Sequence, residues 1–378
     1  MEKICERNEC TGCGLCSNIC PKQAIEMTED EITGHYIPKI NEFKCVDCGL
    51  CKKRCPSIKN VSGHEPRITF AAWRNDIDKI KGSSSGGIAA CFYENAIKKG
   101  YYIVGTCIDE NLLVKLKVTN QISDIELFKS SKYVQAYSDT IYSECLEYLK
   151  KNEKILFIGT PCQCSAINSL VTGEYADNLI VVELICHGVP SRKTLDDYIR
   201  FRAKNKKITN IQFRSERGLG LTLYSERKKV WDHLEYEDEY MTAFQKGIIN
   251  NPTCYSCKYA KMNRIADITI GDFWRIGQEI PFNKPNCKVS VVIANTEKGE
   301  NFIKKCEGLV LEERNYQEAQ KGNPNLYIAS TKNEQYDTFW NNYKSDNPII
   351  AYKFVFGNKL VKIRAKNRIK KILKRASN

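Results

Sequence analysis

The chain has 378 residues, enough for one small module and a body of enzyme size, and a formal net charge of +13. Nineteen cysteines in a sequence that runs from Met1 straight into cysteine motifs argue against a disulfide-stapled secreted scaffold; metal ligation in a reducing compartment, and so a cytoplasmic location, is expected. No apolar run reaches bilayer-spanning length, and residues 359–378 carry nine basic and no acidic residues, so the charge is largely a tail effect and no nucleic-acid groove is expected.

The first element is Cys10-x2-Cys13-x2-Cys16-x3-Cys20-Pro21, repeated as Cys45-x2-Cys48-x2-Cys51-x3-Cys55-Pro56. A cubane needs four thiolates converging from different directions. Short spacers let one loop supply three of them, and in the bacterial ferredoxin run the fourth ligates the other cluster. This assigns Cys10, Cys13, Cys16 and Cys55 to one [4Fe–4S] cluster, and Cys45, Cys48, Cys51 and Cys20 to a second. Zinc also takes Cys-x2-Cys pairs, but it does not account for two runs of four that each end in proline. Gly12, Gly14 and Gly49 suit loops whose backbone passes close to sulfur. Between the runs, Glu29 to Ile40 reads as a hairpin turning at Thr33-Gly34. The expected organisation is a ferredoxin-like domain over 1–60, a polar linker over 57–66, a larger domain over 67–350 and a basic helical tail over 351–378.

Arg67 to Trp73 reads as a strand. Lys81-Gly82-Ser83-Ser84-Ser85-Gly86-Gly87 then opens an apolar helix from Ile88 to Lys99; spacing leaves open an ordinary serine cap or a phosphate cradle at the helix N-terminus. Tyr101 to Cys107 and Leu112 to Val118 alternate as strands, and Ile141 to Lys151 is helical. Lys154 to Ile158 and Leu179 to Ile185 are continuous apolar β runs with a helix between them. Together they predict a partly parallel sheet covered on both faces, an α/β body. Ligands gather at the carboxyl ends of such strands, where Cys162, Cys164, Cys186 and His187 all fall. After a helix from Ser191 to Asn205 come β-like segments Ile208 to Arg214 and Leu219 to Glu226, then an acidic aromatic stretch from Trp231 to Tyr240. Ile265 to Gly271 and Val289 to Ala294 are further strands, and Glu297 to Lys305 a further helix.

Cys254-x2-Cys257 adds two thiols to those at the strand ends. Cys162, Cys186, Cys254 and Cys257 form the preferred ligand set for a third cluster, with Cys164 as alternate. Cys5, Cys91, Cys107, Cys145, Cys287 and Cys306 read as buried thiols. His187 and Asp272 are the candidate catalytic residues: His187 as a proton donor beside Cys186, Asp272 as a polar group near a redox centre. Either could equally be an ordinary strand-end residue.

Six stretches carry a resemblance: Gly82 to Gly87, Ser131-Lys-Tyr-Val-Gln135, Gly159-Thr-Pro-Cys-Gln163, Cys186-His-Gly-Val-Pro-Ser191, Cys254-Tyr-Ser-Cys257 and Ala266 to Trp274. In this order the chain resembles the family of coenzyme F-420 hydrogenase/dehydrogenase beta subunits, in the form with an N-terminal two-cluster ferredoxin. The resemblance implies a flavin, usually FAD with FMN as alternative. It makes Ser83, Ser84, Ser85, Gly86 and Gly87 contacts to flavin phosphate or ribose, and Lys132, Tyr133 and Gln135 lining of the flavin site. It also supports Cys162, Cys186, Cys254 and Cys257 as a flavin-proximal cluster.

Flavins take two electrons as hydride and release them singly, whereas cubanes carry one at a time. The expected activity is therefore an oxidoreductase that relays electrons between a ferredoxin or redox partner subunit and a small organic acceptor or donor, coenzyme F-420 or another. Two other readings stand beside it: a non-catalytic electron-transfer subunit of a larger complex, and an accessory oxidoreductase of polysaccharide biosynthesis. In the tail, Val361, Ala365, Ile369, Ile372 and Leu373 fall near one helical face among lysines and arginines. A solvated terminal helix is the plainer reading; docking to an anionic membrane or an acidic partner is the other.

Overall fold

The structure is a computed structural model that describes residues 3–59, 62–215 and 217–376, with the side chains of the last helix described through residue 370. An eight-stranded mixed sheet forms the body. Its strands are β3 (Ile68–Arg74), β4 (Tyr101–Ile108), β5 (Val114–Thr119), β6 (Lys154–Gly159), β7 (Leu179–Leu184), β11 (Ile268–Asp272), β12 (Ser290–Ala294) and β13 (Leu309–Arg314). They lie in the order β13-β3-β12-β11-β7-β6-β4-β5. The four central strands β11, β7, β6 and β4 run parallel, and the flanking pairs are antiparallel. Five of six residues are buried in both β6 and β7, which is why their sequences read as apolar runs, Glu183 being the one charged residue among those buried.

Helices cover both faces, as the alternation of strand and helix implies. On one, Ile88, Phe92 and Ala96 of helix Ile88–Lys98 pack with Ile158, Val182 and Phe302. On the other, Ile141, Cys145 and Leu149 of helix Ile141–Lys150 pack with Phe157 and Ile167. A second, three-stranded antiparallel sheet joins β8 (Asn210–Ser215), β9 (Gly218–Ser225) and β10 (Lys228–Leu234). It shares a core with helices Arg192–Ala203, Glu239–Gln245 and Ile349–Phe356 through Leu195, Tyr198, Phe244 and Tyr352. The N-terminal residues form β1 (Ile25–Glu29) and β2 (Tyr36–Ile40), paired in register from Ile25↔Ile40 to Glu29↔Tyr36, with two short helices at Leu15–Asn18 and Leu50–Arg54.

Two strands go beyond the sequence reading. β10 lies largely inside the stretch read only as acidic and aromatic, and β13 is an edge strand with no fully buried residue. Neither shows a clean buried–exposed alternation, so the usual period-2 signal is missing.

The stretch 57–66 is tied down where it is described: His64 and Arg264 exchange backbone hydrogen bonds of 2.7 and 2.8 Å. The tail helix, Lys359–Ala376, is docked rather than wholly solvated. Leu360 is buried, and Arg364 donates to Glu239 Oε1 at 2.6 Å while its guanidinium lies over the Trp231 ring. The docking face therefore runs through residues 360, 364 and 367, where Asn367 donates to Glu237, and Val361, Ala365 and Ile369 face solvent. Ile372 and Leu373 lie outside the described side chains.

Candidate metal centres

The two ferredoxin-type runs fold so that each contributes to two thiol groups. Cys45, Cys48 and Cys51 line one cavity with Cys20 from the other run, Ile25 and Ile40 of the hairpin forming its wall. Cys10, Cys13, Cys16 and Cys55 form the other group, near enough to influence one another's charge. Gly14 and Gly49 stand immediately before the two short helices at φ +81° and +68°, a left-handed backbone that turns each cysteine loop back on itself. Cys5, read from sequence as a buried thiol, is half-buried and packs against this region, its free thiol within hydrogen-bonding reach of Cys10 and Cys55. That contact draws Cys55 down to about 6 and lowers Cys10, while Cys5 itself is pushed up.

A third group lies at the carboxyl edge of the parallel strands. Cys162 follows β6 at the start of helix Pro161–Leu170, whose first turn is closed by a Thr160–Gln163 capping box. Cys186 follows β7, and Cys254 and Cys257 come from the turn Pro252–Ser256 and its end. These four thiols line one cavity, together with Thr160, Tyr259 and Arg264 of the body and Thr11 of the N-terminal loop. Burial pushes Cys162 up to about 11 and Cys186 up to about 12. Cys164, the alternate ligand, points away: it is fully buried and its thiol lies 3.6 Å from Gly159 O and 3.5 Å from Val182 O. Among the described residues no three His, Cys, Asp or Glu side chains converge as they would on a single ion; the thiols surround open spaces.

Beside this cavity the fully buried Arg264 pairs with the fully buried Glu183 of β7 and donates to the Tyr259 and Lys261 carbonyls at 3.1 Å each. Thr269 Oγ1 donates to the same Glu183 oxygen at 2.9 Å. The guanidinium thus fastens the loop that follows Cys257 to the middle of the sheet.

The N-terminal module presses against this edge. Thr253 Oγ1 donates to Cys10 O at 2.8 Å, and Cys13 and Cys162 pack into one apolar cluster with Cys257 near Leu15 and Tyr259. His35 is fully buried between the two parts, its ring nitrogens 2.9 Å from Thr33 Oγ1 and from Val189 O. Only a ring N–H can satisfy the Val189 carbonyl, so Nε2 carries the proton and Nδ1 faces the hydroxyl. Burial holds His35 down at about 4. The unfolded chain takes up a proton near pH 6.5 and the folded chain only near 4, so the stabilisation is complete above about 6.5 and is lost as pH falls toward 4. The expected loss is on the order of 3 kcal/mol, at about 1.4 kcal/mol per pH unit. Denaturant unfolding of the wild type and His35→Gln at neutral and mildly acidic pH checks this, because other titrating groups cancel in the difference. Parallel pH profiles for the two proteins would contradict it.

The remaining sequence-derived residues divide between two places. The loop before helix Ile88–Lys98 is not a serine cap: Gly87, at φ +80°, occupies that position and no side chain caps the first turn. Ser83 Oγ is buried without a partner. Ser84 Oγ meets Ser131 Oγ at 2.8 Å, Ser85 Oγ donates to Val289 O at 3.1 Å and Gly86 N to Ser290 Oγ at 2.9 Å. A Cβ at Gly86 would meet Ala72 O at 2.6 Å, so only glycine fits there. Lys132 turns back to donate to Leu127 O and Lys129 O at 2.9 and 2.8 Å, and burial lowers its ammonium to about 7. Gln135 faces the N-terminal module, where its Oε1 accepts from Tyr36 N at 2.8 Å.

Tyr133 and Asp272 are joined by Arg214, which the sequence reading passed over. Arg214 Nη2 donates to the Tyr133 hydroxyl at 2.6 Å and to Asp272 Oδ2 at 2.8 Å. His187 is exposed and lies near enough to feel both Asp272 and Arg214. Arg214 sits at the end of a polar-edged strand and had no spacing to mark it. Arg264 had an indirect sign: Glu183 interrupts an apolar run, and a buried carboxylate there demands a cation.

A two-cluster ferredoxin module joined to a mixed α/β body defines the class, an iron–sulfur redox protein. Residues 9–58 match the family described as 4Fe-4S dicluster domain, and residues 152–319 match the family described as the C terminus of the coenzyme F420 hydrogenase/dehydrogenase beta subunit. Over those residues the chain is similar to the C-terminal part of these beta subunits. It is 22% identical over 325 residues to the F subunit of F(420)H(2) dehydrogenase from Methanosarcina mazei, covering 80% of this chain and 84% of that protein. Among solved structures it is similar to a chain of the F420-reducing [NiFe] hydrogenase complex from Methanosarcina barkeri. There the identity is 20%, the coverage 68% of this chain and 84% of that one, and the TM-score 0.46. No helix among the described residues is long and apolar enough to cross a membrane.

Proposed function

We propose that the chain is an iron–sulfur flavoprotein oxidoreductase carrying three [4Fe–4S] clusters in a row. The observation that carries the reading is the third cavity: four cysteines from three separate segments line it, a loop of the ferredoxin module adjoins it, and Cys13 packs on the same apolar cluster as Cys162. On this reading residues 1–60 form the ferredoxin-like domain, 67–350 the flavin and iron–sulfur domain, and 351–378 the basic tail. Cys20, Cys45, Cys48 and Cys51 hold the outermost cluster, and Cys10, Cys13, Cys16 and Cys55 the middle one. Cys162, Cys186, Cys254 and Cys257 hold the innermost.

The residues around the 83–87 loop fit a flavin. The unpartnered Ser83 hydroxyl and the uncapped start of helix Ile88–Lys98 offer donors to a phosphate. When bound, a flavin supplies the exchange between hydride and single electrons. Around it Arg214 and Asp272 hold the Tyr133 hydroxyl in place, and His187, exposed near the same pair, is positioned to pass a proton to solvent. The carrier exchanging hydride is coenzyme F420 or another small organic molecule.

A second reading, an electron-transfer subunit without a substrate of its own, is favoured by one finding: the relative from Methanosarcina mazei is named as a subunit. Acid-released flavin and iron per chain, measured on protein purified without oxygen, separate the two. Flavin with about twelve irons, the count for three cubanes, is the expected result. About eight irons and no flavin would leave only the ferredoxin pair and overturn the first reading.

A further inference from the structure

The outermost thiol group lies where the molecule opens to solvent. Cys48 is exposed, and Val46, on the wall of the same cavity, is 59% exposed. Phe43, two residues before Cys45, is fully exposed at 103%. A phenylalanine held in water by a turn, its backbone N–H bonded to Asn41 Oδ1 at 3.1 Å, buries nothing among the described residues. Around it the stretch 39–59 holds six basic residues, Lys39, Lys44, Lys52, Lys53, Arg54 and Lys59, against two acidic ones, Glu42 and Asp47. All but Arg54 of the six are exposed, as is Lys22 on the cavity rim.

We propose that this face is the docking surface for an acidic, soluble one-electron carrier protein, with Phe43 and Val46 as the apolar contact and the lysines as the steering ring. The proposal rests on the reading that Cys20, Cys45, Cys48 and Cys51 hold a cluster. A cubane exchanges one electron at a time, so its partner at this face is a one-electron carrier and not a hydride donor. An exposed ligand lets the partner's redox group come close, and a basic rim around an apolar centre selects an acidic surface. In each encounter one electron leaves the reduced carrier, which is thereby oxidised by one, and reduces the outermost cluster by one. No bond is made or broken, and no proton is needed.

The test uses the complete cluster-loaded protein and a purified acidic two-[4Fe–4S] ferredoxin as probe. Binding of the oxidised ferredoxin and the bimolecular rate of electron transfer from its reduced form are measured at low and high salt. In the wild type both are expected to weaken steeply with salt, since exposed charges are screened over about 10 Å at 0.1 M. The triple variant K44E/K52E/K53E is expected to lose roughly tenfold or more in rate and affinity at low salt and to show a flat salt dependence. Phe43→Ser is expected to weaken binding at every salt concentration. Equal affinity, rate and salt slope in wild type and variants would overturn the docking surface, as would tighter binding of a basic carrier such as cytochrome c. Should the triple reversal strip iron, Lys39→Glu, on β2 away from the cysteine loop, carries the same expectation in smaller measure. Because the readout is the first contact, a missing flavin or third cluster would leave it unchanged, so failure of the wider relay is distinguishable.

Discussion

Replacing Cys254 with alanine is expected to remove about four irons per chain and to stop electron flow from the ferredoxin module to the body. The other two thiol groups lie outside the third cavity and should keep their metal. Cys162, Cys186, Cys254 and Cys257 share one space, and three thiolates leave one corner of a cubane without its protein ligand. The informative control is Cys164→Ala. Cys164 is as buried as any cysteine here, but its thiol faces the Gly159 and Val182 carbonyls. That substitution should cost stability, as small core truncations do, and leave the iron count unchanged. Iron and sulfide analysis with low-temperature spectroscopy of the reduced proteins reads both. Full iron in Cys254→Ala, or loss of iron in Cys164→Ala, would reassign the ligands.

Arg264→Met is expected to destabilise the protein by about 3–5 kcal/mol, the range for removing one partner of a buried ion pair. Glu183 would be left charged at the centre of the sheet, with Thr269 Oγ1 as its remaining donor. The Tyr259 and Lys261 carbonyls would lose their donor as well, and these close the loop after Cys257. The unfolding midpoint of the cluster-loaded protein should fall sharply in Arg264→Met and recover in the double variant Arg264→Met/Glu183→Gln, which removes the stranded charge. If the double variant were no more stable than the single one, the loss would lie in the loop and not in the ion pair.

Much of this arrangement was legible in the residues. The doubled cysteine spacing fixes its own pairing, because a loop can aim three thiols one way and must send the fourth elsewhere. The apolar runs at 154–158 and 179–185 marked two of the central strands, and with them the edge where Cys162 and Cys186 lie. What stayed hidden depends on long-range contact. Gln135 carries no local sign that it faces Tyr36, nor Arg214 that it links Tyr133 to Asp272. β10 and β13 are half-buried along their length, so no alternation announces them. The docking of the tail through Arg364 needed Glu237 and Glu239 to be in place first.

The seam between module and body has one more consequence. It is pinned at separated points: Thr253 to Cys10, Tyr36 to Gln135, Val189 to His35, Lys258 to the Ser57 and Lys59 carbonyls, and His64 to Arg264. Bonds spread along both ends of the module hold it against the body at several points, as a weld would. The gap between Cys13 and Cys162 is therefore a fixed spacing, and passage across it is set by distance and driving force alone. Thickening the solvent with sucrose or glycerol should slow the arrival of a diffusing partner and leave that internal step untouched.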